Sequence, residues 1–146
     1  MRELPRQLSA EELAGLFEGR TRFVERLSGR QNPLGNALAV IGELSDEERR
    51  EMLDAHPAIG QKVGLSASSA AEQGTDDDPD LLAELARLNA VYQALQGFRF
   101  VVFVNRRPRA EILEVLRARI NNPTDEELET ALQALVAIAI DRWQRG

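Results

Sequence analysis

Two short motifs hold the side chains whose types could carry out proton-transfer chemistry. One is His56-Pro57, which contains the single histidine of the chain, and the other is Ser69-x-x-Glu72-Gln73. A histidine titrates near neutral pH without help from its surroundings. The second motif adds a carboxylate and an amide that both donates and accepts hydrogen bonds. If the loop between the motifs folds back, they form a pocket that suits a heterocycle bearing NH and C=O groups.

A purely structural role is also open for each of these side chains. Pro57 disfavours helical geometry at the residue before it, so His56 is predicted at a helix end. In the structural interpretation, its role there is to interact favourably with the helix dipole. The pattern from Ser69 to Glu72 is also that of a helix-starting capping box. Arg119 belongs to an arginine-rich predicted helix, and such arginines are mostly surface residues. The residues alone leave both interpretations open.

The elements that position these residues are predicted to be helices, in an irregular all-α domain of about seven or eight helices that spans residues 1–146. Helix starts are indicated by the capping boxes and prolines at Ser9-Ala10-Glu11-Glu12, Asn32-Pro33, Ser45-Asp46-Glu47-Glu48, Asp78-Pro79, Pro108 and Thr124-Asp125-Glu126-Glu127. Gly97 is predicted to end a helix. The run from Phe98 to Val104 is strand-like but has no partner strand, which predicts a buried extended segment or a distorted helix.

The composition excludes several classes of protein. The chain has 146 residues, of which 43% are hydrophobic and 29% charged, so we expect a soluble globular domain. Its formal charge of -6 argues against a general binder of nucleic acid or anionic membranes. The absence of cysteine and the single histidine predict no metal site. We find no signal peptide and no membrane-spanning run, which predicts a cytoplasmic protein.

Five motifs, in this order along the chain, resemble those of the OHCU decarboxylase family. The resemblance as a whole runs from about Phe17 to Trp143. The motifs are His56-Pro57-x-x-Gly60, Ser69-x-x-Glu72-Gln73, Leu88-Asn89-x-x-Tyr92, Gly97-Phe98-x-Phe100-Val101 and Arg119-x-Asn121. The resemblance implies an all-helical, cofactor-free homodimer that acts on a small-molecule substrate. The implied reaction is decarboxylation of 2-oxo-4-hydroxy-4-carboxy-5-ureidoimidazoline (OHCU) to S-allantoin, late in urate breakdown.

The resemblance also implies roles for individual residues. The catalytic residues would be His56 and Glu72. The substrate-binding residues would be Pro57, Ser69, Gln73, Phe100, Val101 and Arg119.

Three positions depart from the family pattern. Arg20-Thr21-Arg22 stands where Ser-Pro-Trp is usual, Ala58-Ile59 replaces a common Asp-Leu, and Arg99 replaces the proline of the Gly-Phe-Pro-Phe segment. Arg99 brings a long cation beside the expected pocket, where it could tighten binding of an anion, alter the substrate or point to solvent. Two alternatives therefore stay open: an enzyme for another ureido or imidazoline compound, and a non-catalytic helical interaction module.

Overall fold

The computed structural model describes residues 3–57 and 78–146. Within these ranges the backbone forms seven α-helices and no β-strand, which confirms the all-α prediction. The helices are α1 (Ala10–Phe17), α2 (Arg22–Leu27), α3 (Ala37–Gly42), α4 (Asp46–Asp54), α5 (Pro79–Gln96), α6 (Arg109–Arg119) and α7 (Thr124–Arg145). None of the helices in the described ranges is both long and apolar enough to cross a membrane.

The chain divides into two compact units. Unit 1 consists of Met1–His56 and Leu132–Gly146, and unit 2 consists of Pro57–Ala131. Helices α1 to α4 and the C-terminal part of α7 belong to unit 1, whereas α5, α6 and the start of α7 belong to unit 2. A single domain over residues 1–146 stays a prediction.

Two predicted capping boxes are confirmed in unit 1. The Ser9 hydroxyl accepts the Glu12 N–H and the Glu12 carboxylate accepts the Ser9 N–H, both at 3.1 Å. Ser45 and Glu48 form the same reciprocal pair at the start of α4, at 3.2 and 3.0 Å. The hydrogen bond from the Ser45 backbone is the main reason that the pKa of Glu48 lies below its ordinary value. This cap fixes the start of the helix that leads to His56.

The predicted start of the third helix at Asn32-Pro33 is wrong. Helix α3 begins at Ala37, and Asn32 has a left-handed φ of 47°. The φ/ψ angles of a helix N-cap typically lie in the β region, so the left-handed Asn32 is a poor N-cap. The Asn32 N–H donates to the Arg6 carbonyl at 2.7 Å, so a distant contact holds this backbone.

In both units, arginine side chains donate hydrogen bonds to backbone carbonyl groups at helix ends or in irregular segments. In unit 1, Arg142 of α7 donates to the carboxylate of Glu18 at 2.9 Å and to the Leu16 carbonyl at 3.1 Å, which satisfies backbone at the end of α1. In unit 2, Arg107 donates to the carbonyls of Phe103 at 2.6 Å and Val104 at 3.0 Å. Arg107 is therefore partly buried against the segment before it, although it lies in a loop.

The segment that follows α5 is buried although it is neither helix nor strand. Gly97 ends α5 with a left-handed φ of 82°, as predicted. Five of the next seven residues are buried, namely Phe98, Phe100, Val101, Val102 and Val104. The distorted-helix alternative is excluded, and the carbonyl groups of this segment accept hydrogen bonds from arginine side chains instead of from a partner strand.

Candidate active site

Arg119 lies at the end of α6, and three contacts hold its guanidinium group. Its Nε donates to Glu127 Oε1 at 3.0 Å, and its Nη1 donates to the Val101 carbonyl at 3.1 Å. The guanidinium carbon lies 4.7 Å from the centre of the Phe100 ring, within the range of a cation–π contact. The side chain is only 12% exposed. The structure therefore brings together three of the predicted substrate-binding residues, Phe100, Val101 and Arg119.

The remaining guanidinium nitrogen is the one available to a ligand. Arg119 Nη2 is buried and has no hydrogen-bond partner among residues 3–57 and 78–146. A buried donor without a partner costs free energy, and a charged one costs more. An anionic oxygen would remove this cost, because guanidinium N–H groups form strong hydrogen bonds with carboxylates and oxyanions. The arrangement can therefore bind a small anion.

A buried carboxylate lies beside Arg119. Glu127 is 1% exposed, and its Oε1 accepts hydrogen bonds from the Tyr92 hydroxyl at 2.5 Å and from Arg119. Its Oε2 accepts the side-chain amide of Asn122 at 3.0 Å. A buried carboxylate is tolerated when a cation and several donors satisfy it, and here one cation and two neutral donors do so.

Tyr92 connects this carboxylate to an aromatic cluster. Its ring packs edge-to-face on Phe98 and Phe100, with centroids 6.0 and 5.1 Å away. Burial, reinforced by the hydrogen bond to Glu127, raises the pKa of Tyr92 well above its ordinary value. Tyr92 therefore remains a neutral donor to Glu127 throughout the physiological pH range.

Tyr92 is the only tyrosine, so its ionisation can be followed directly. Because its pKa is raised on folding, the native protein retains a proton that the unfolded chain loses near pH 10. The raised pKa of Tyr92 therefore stabilises the folded protein. This stabilisation is fully present below about pH 10 and is lost as the pH rises through the folded pKa. We expect phenolate absorbance to appear near pH 10 in denaturant but only at higher pH in the native protein. Native absorbance that appears near pH 10 would contradict this assignment, and Tyr92→Phe supplies the blank.

Gln96 fixes the backbone directly after Arg119. Its side-chain amide donates to the carbonyls of Ile120 at 3.2 Å and Asn122 at 2.8 Å. Carbonyl groups at a helix C-terminus lack intrahelical partners, and Gln96 of α5 supplies one. These hydrogen bonds attach the C-terminal end of α6 to α5, next to the position of Arg119.

Sequence reasoning missed Glu127 as a site residue. Its position three residues after Thr124 predicted a capping box, but its carboxylate bonds to Tyr92, Arg119 and Asn122. One signal was present. Tyr92 falls on the apolar face of α5, and a buried tyrosine hydroxyl needs a partner.

The other predicted site residues are placed as follows. His56 is 5% exposed, comes shortly after α4 in unit 1, and its N–H donates to the Leu53 carbonyl at 3.2 Å. Pro57 is partly buried and is the first residue of unit 2. Ser69, Glu72 and Gln73 lie outside the described residues. The roles of these five residues remain predictions.

Within residues 3–57 and 78–146, the acidic and histidine side chains do not form a group of three or more that could hold a metal ion.

The all-α fold and the buried guanidinium group define a helical protein with a candidate anion-binding site. The family model for OHCU decarboxylase matches residues 2–144. The chain belongs to the OHCU decarboxylase family, as its motifs predicted.

Individual relatives agree with this assignment. The chain is 28% identical to a 2-oxo-4-hydroxy-4-carboxy-5-ureidoimidazoline decarboxylase from Halalkalicoccus jeotgali, over 81% of this chain and 68% of that protein. It is also 28% identical to a uric acid degradation bifunctional protein from Bacillus sp. (strain TB-90), over 94% of this chain but only 30% of that protein. A crystal structure of an OHCU decarboxylase in the presence of (S)-allantoin superposes with a TM-score of 0.73 and 25% identity, covering 90% of this chain and 94% of that one.

Proposed function

We propose that this protein catalyses the cofactor-independent decarboxylation of OHCU to S-allantoin in urate degradation. The family match over residues 2–144 and the decarboxylase relatives support this reaction. In the structure, the observation that carries the proposal is the buried Arg119 Nη2, a donor that fits an anionic substrate such as OHCU.

The residues divide between proton transfer and substrate binding. We propose His56 and Glu72 as catalytic residues, with Pro57, Ser69, Gln73, Phe100, Val101 and Arg119 as substrate-binding residues. Arg119 and the backbone of Val101 form one hydrogen-bonded group, which supports a shared role.

Decarboxylation breaks the bond between the carboxyl carbon and the ring and leaves an electron pair on the substrate. The unsaturated carbon–nitrogen system of the ring accepts this pair, so the reaction needs no cofactor. His56 exchanges a proton with the hydroxyl region of the substrate or delivers one as CO2 leaves. Glu72 orients the ureido or ring NH groups, Gln73 fixes the ring, and Arg119 pairs with a substrate oxyanion.

A coupled assay tests this function. Uricase and the hydrolase that follows it generate fresh OHCU from urate, and circular dichroism follows the optically active allantoin. We expect the purified protein to form S-allantoin much faster than the spontaneous background. A rate equal to the background would contradict OHCU decarboxylation.

A second candidate function is the same type of chemistry on another ureido or imidazoline compound. The Nε atom of Arg99 is buried, so this side chain does not simply extend into solvent. A cation at this position would alter which anionic groups are accepted. Turnover of such a relative without turnover of OHCU would favour this candidate.

We also propose a cytoplasmic homodimer. Val91 and Leu95 are exposed apolar side chains one helical turn apart on α5, a surface that a second copy of the chain could cover. Sedimentation of the purified protein tests the oligomeric state, and a monomer at assay concentration would contradict this proposal.

A further inference from the structure

The direction of Arg119 Nη2 depends on the contacts that hold the rest of the guanidinium group. Arg119 is the last residue of α6, and its long side chain would lose substantial conformational entropy if only the ligand ordered it. A guanidinium group is planar, so fixing two of its nitrogens also fixes the third. Here Glu127 holds Nε and the Val101 carbonyl holds Nη1.

Glu127 can hold the guanidinium group because its own carboxylate is held. The Tyr92 hydroxyl and the Asn122 amide donate to its two oxygens at 2.5 and 3.0 Å. Tyr92 is completely buried, and its ring contacts Phe100, which also lies against the guanidinium group of Arg119. The carboxylate is therefore fixed relative to the surface on which Arg119 rests.

We propose that Glu127 is a positioning residue that directs Arg119 Nη2 towards the anionic group of the substrate. Both carboxylate oxygens already accept hydrogen bonds from protein donors, so Glu127 acts through Arg119 and not by contact with the substrate. Tyr92 and Asn122 support it as fixed donors. The inference rests on the proposed function and extends it to a residue whose sequence pattern predicted only a helix cap.

A double-mutant cycle tests this proposal in the coupled assay. Glu127→Gln keeps the size of the side chain but removes the charge that attracts Arg119. We expect kcat/KM for OHCU to fall about thirtyfold, mainly through KM, because misplacing a binding group by about 1 Å can cost up to about a hundredfold. In an Arg119→Ala background, the same substitution should change kcat/KM by less than about threefold, because the residue through which Glu127 acts is gone. The pH dependence of kcat should be the same with Glu127 and with Gln, since Glu127 transfers no proton.

Glu114→Gln is the matched control. Glu114 forms an exposed ion pair with Arg117 on α6, the helix that also carries Arg119. This substitution therefore also separates a carboxylate from an arginine. We expect it to leave kcat/KM unchanged. Wild-type kcat/KM in Glu127→Gln, or an equal loss with and without Arg119, would overturn the positioning role.

Asn122→Ala supplies the second test if Glu127→Gln does not fold. Asn122 is exposed, and its backbone carbonyl can still accept the Gln96 amide. Loss of its bond to Glu127 Oε2 should raise KM about threefold, and an unchanged KM would overturn the proposal. A wild-type protein that does not turn over OHCU would instead contradict the proposed function itself, so the two failures are distinguishable.

Discussion

His56→Asn is expected to retain the fold and to lower kcat for OHCU by at least about a hundredfold, since positioned proton transfer contributes about 10²- to 10⁴-fold. Asparagine is chosen because His56 is buried shortly after α4, and an amide retains part of the hydrogen-bonding capacity of the imidazole. Asparagine does not exchange protons near neutral pH, so catalysis should be lost while binding persists. The coupled assay measures kcat and KM, and thermal unfolding measures stability.

Glu47→Gln is the matched control on α4. Its side chain is 84% exposed, and its carboxylate lies 3.4 Å from the guanidinium group of Arg22. We expect full activity from this variant and little change in stability. If His56→Asn retained wild-type turnover, His56 would not be the proton-transfer residue, and Glu72 would be the next position to test.

Local patterns predicted most of the helices because their causes are local. The capping boxes at Ser9 and Ser45 join residues three positions apart, and each formed as the pattern indicates. The stop at Gly97 follows from a single backbone angle that glycine adopts without steric cost. These features need no information about the rest of the chain.

Features fixed by distant contacts were not predicted. Asparagine is a residue type favoured at helix caps, but the N–H of Asn32 donates to the carbonyl of Arg6 and its backbone is left-handed. Glu127 matches a capping box, but its carboxylate accepts hydrogen bonds from Tyr92, 35 residues earlier, and from Arg119, eight residues earlier. The local pattern is the same whichever partner the carboxylate takes, so only the tertiary structure distinguishes the two outcomes.

The candidate site was only partly predictable for the same reason. Spacing alone did not single out Arg119 from the other arginines of α6, and its predicted role came from the family resemblance. The structure adds the physical basis, since Arg119 is buried among Phe100, Val101 and Glu127, whereas Arg117 of the same helix is exposed. Burial distinguishes Arg119 from Arg117, and burial is a property of the fold.

Arg119→Ala is expected to reduce both stability and activity. It would leave the Glu127 carboxylate buried without its cation, which typically costs about 3 to 5 kcal/mol of the free energy of unfolding. It would also remove the donor proposed to bind the substrate anion, which we expect to lower kcat/KM by about 10²- to 10³-fold. Denaturant unfolding measures the first effect, and the coupled assay on folded protein measures the second.

Arg119→Lys separates charge from geometry. A lysine ammonium can pair with Glu127. It lacks the planar guanidinium group, which contacts both Glu127 and Val101 and leaves a third nitrogen for a ligand. We therefore expect this variant to recover much of the lost stability but little of the lost activity. Arg117→Ala, which removes an exposed ion pair with Glu114 on the same helix, should change the free energy of unfolding by less than about 1 kcal/mol and retain full activity. Wild-type kcat/KM in Arg119→Lys would show that a point charge is sufficient, which would contradict a role for the orientation of Nη2.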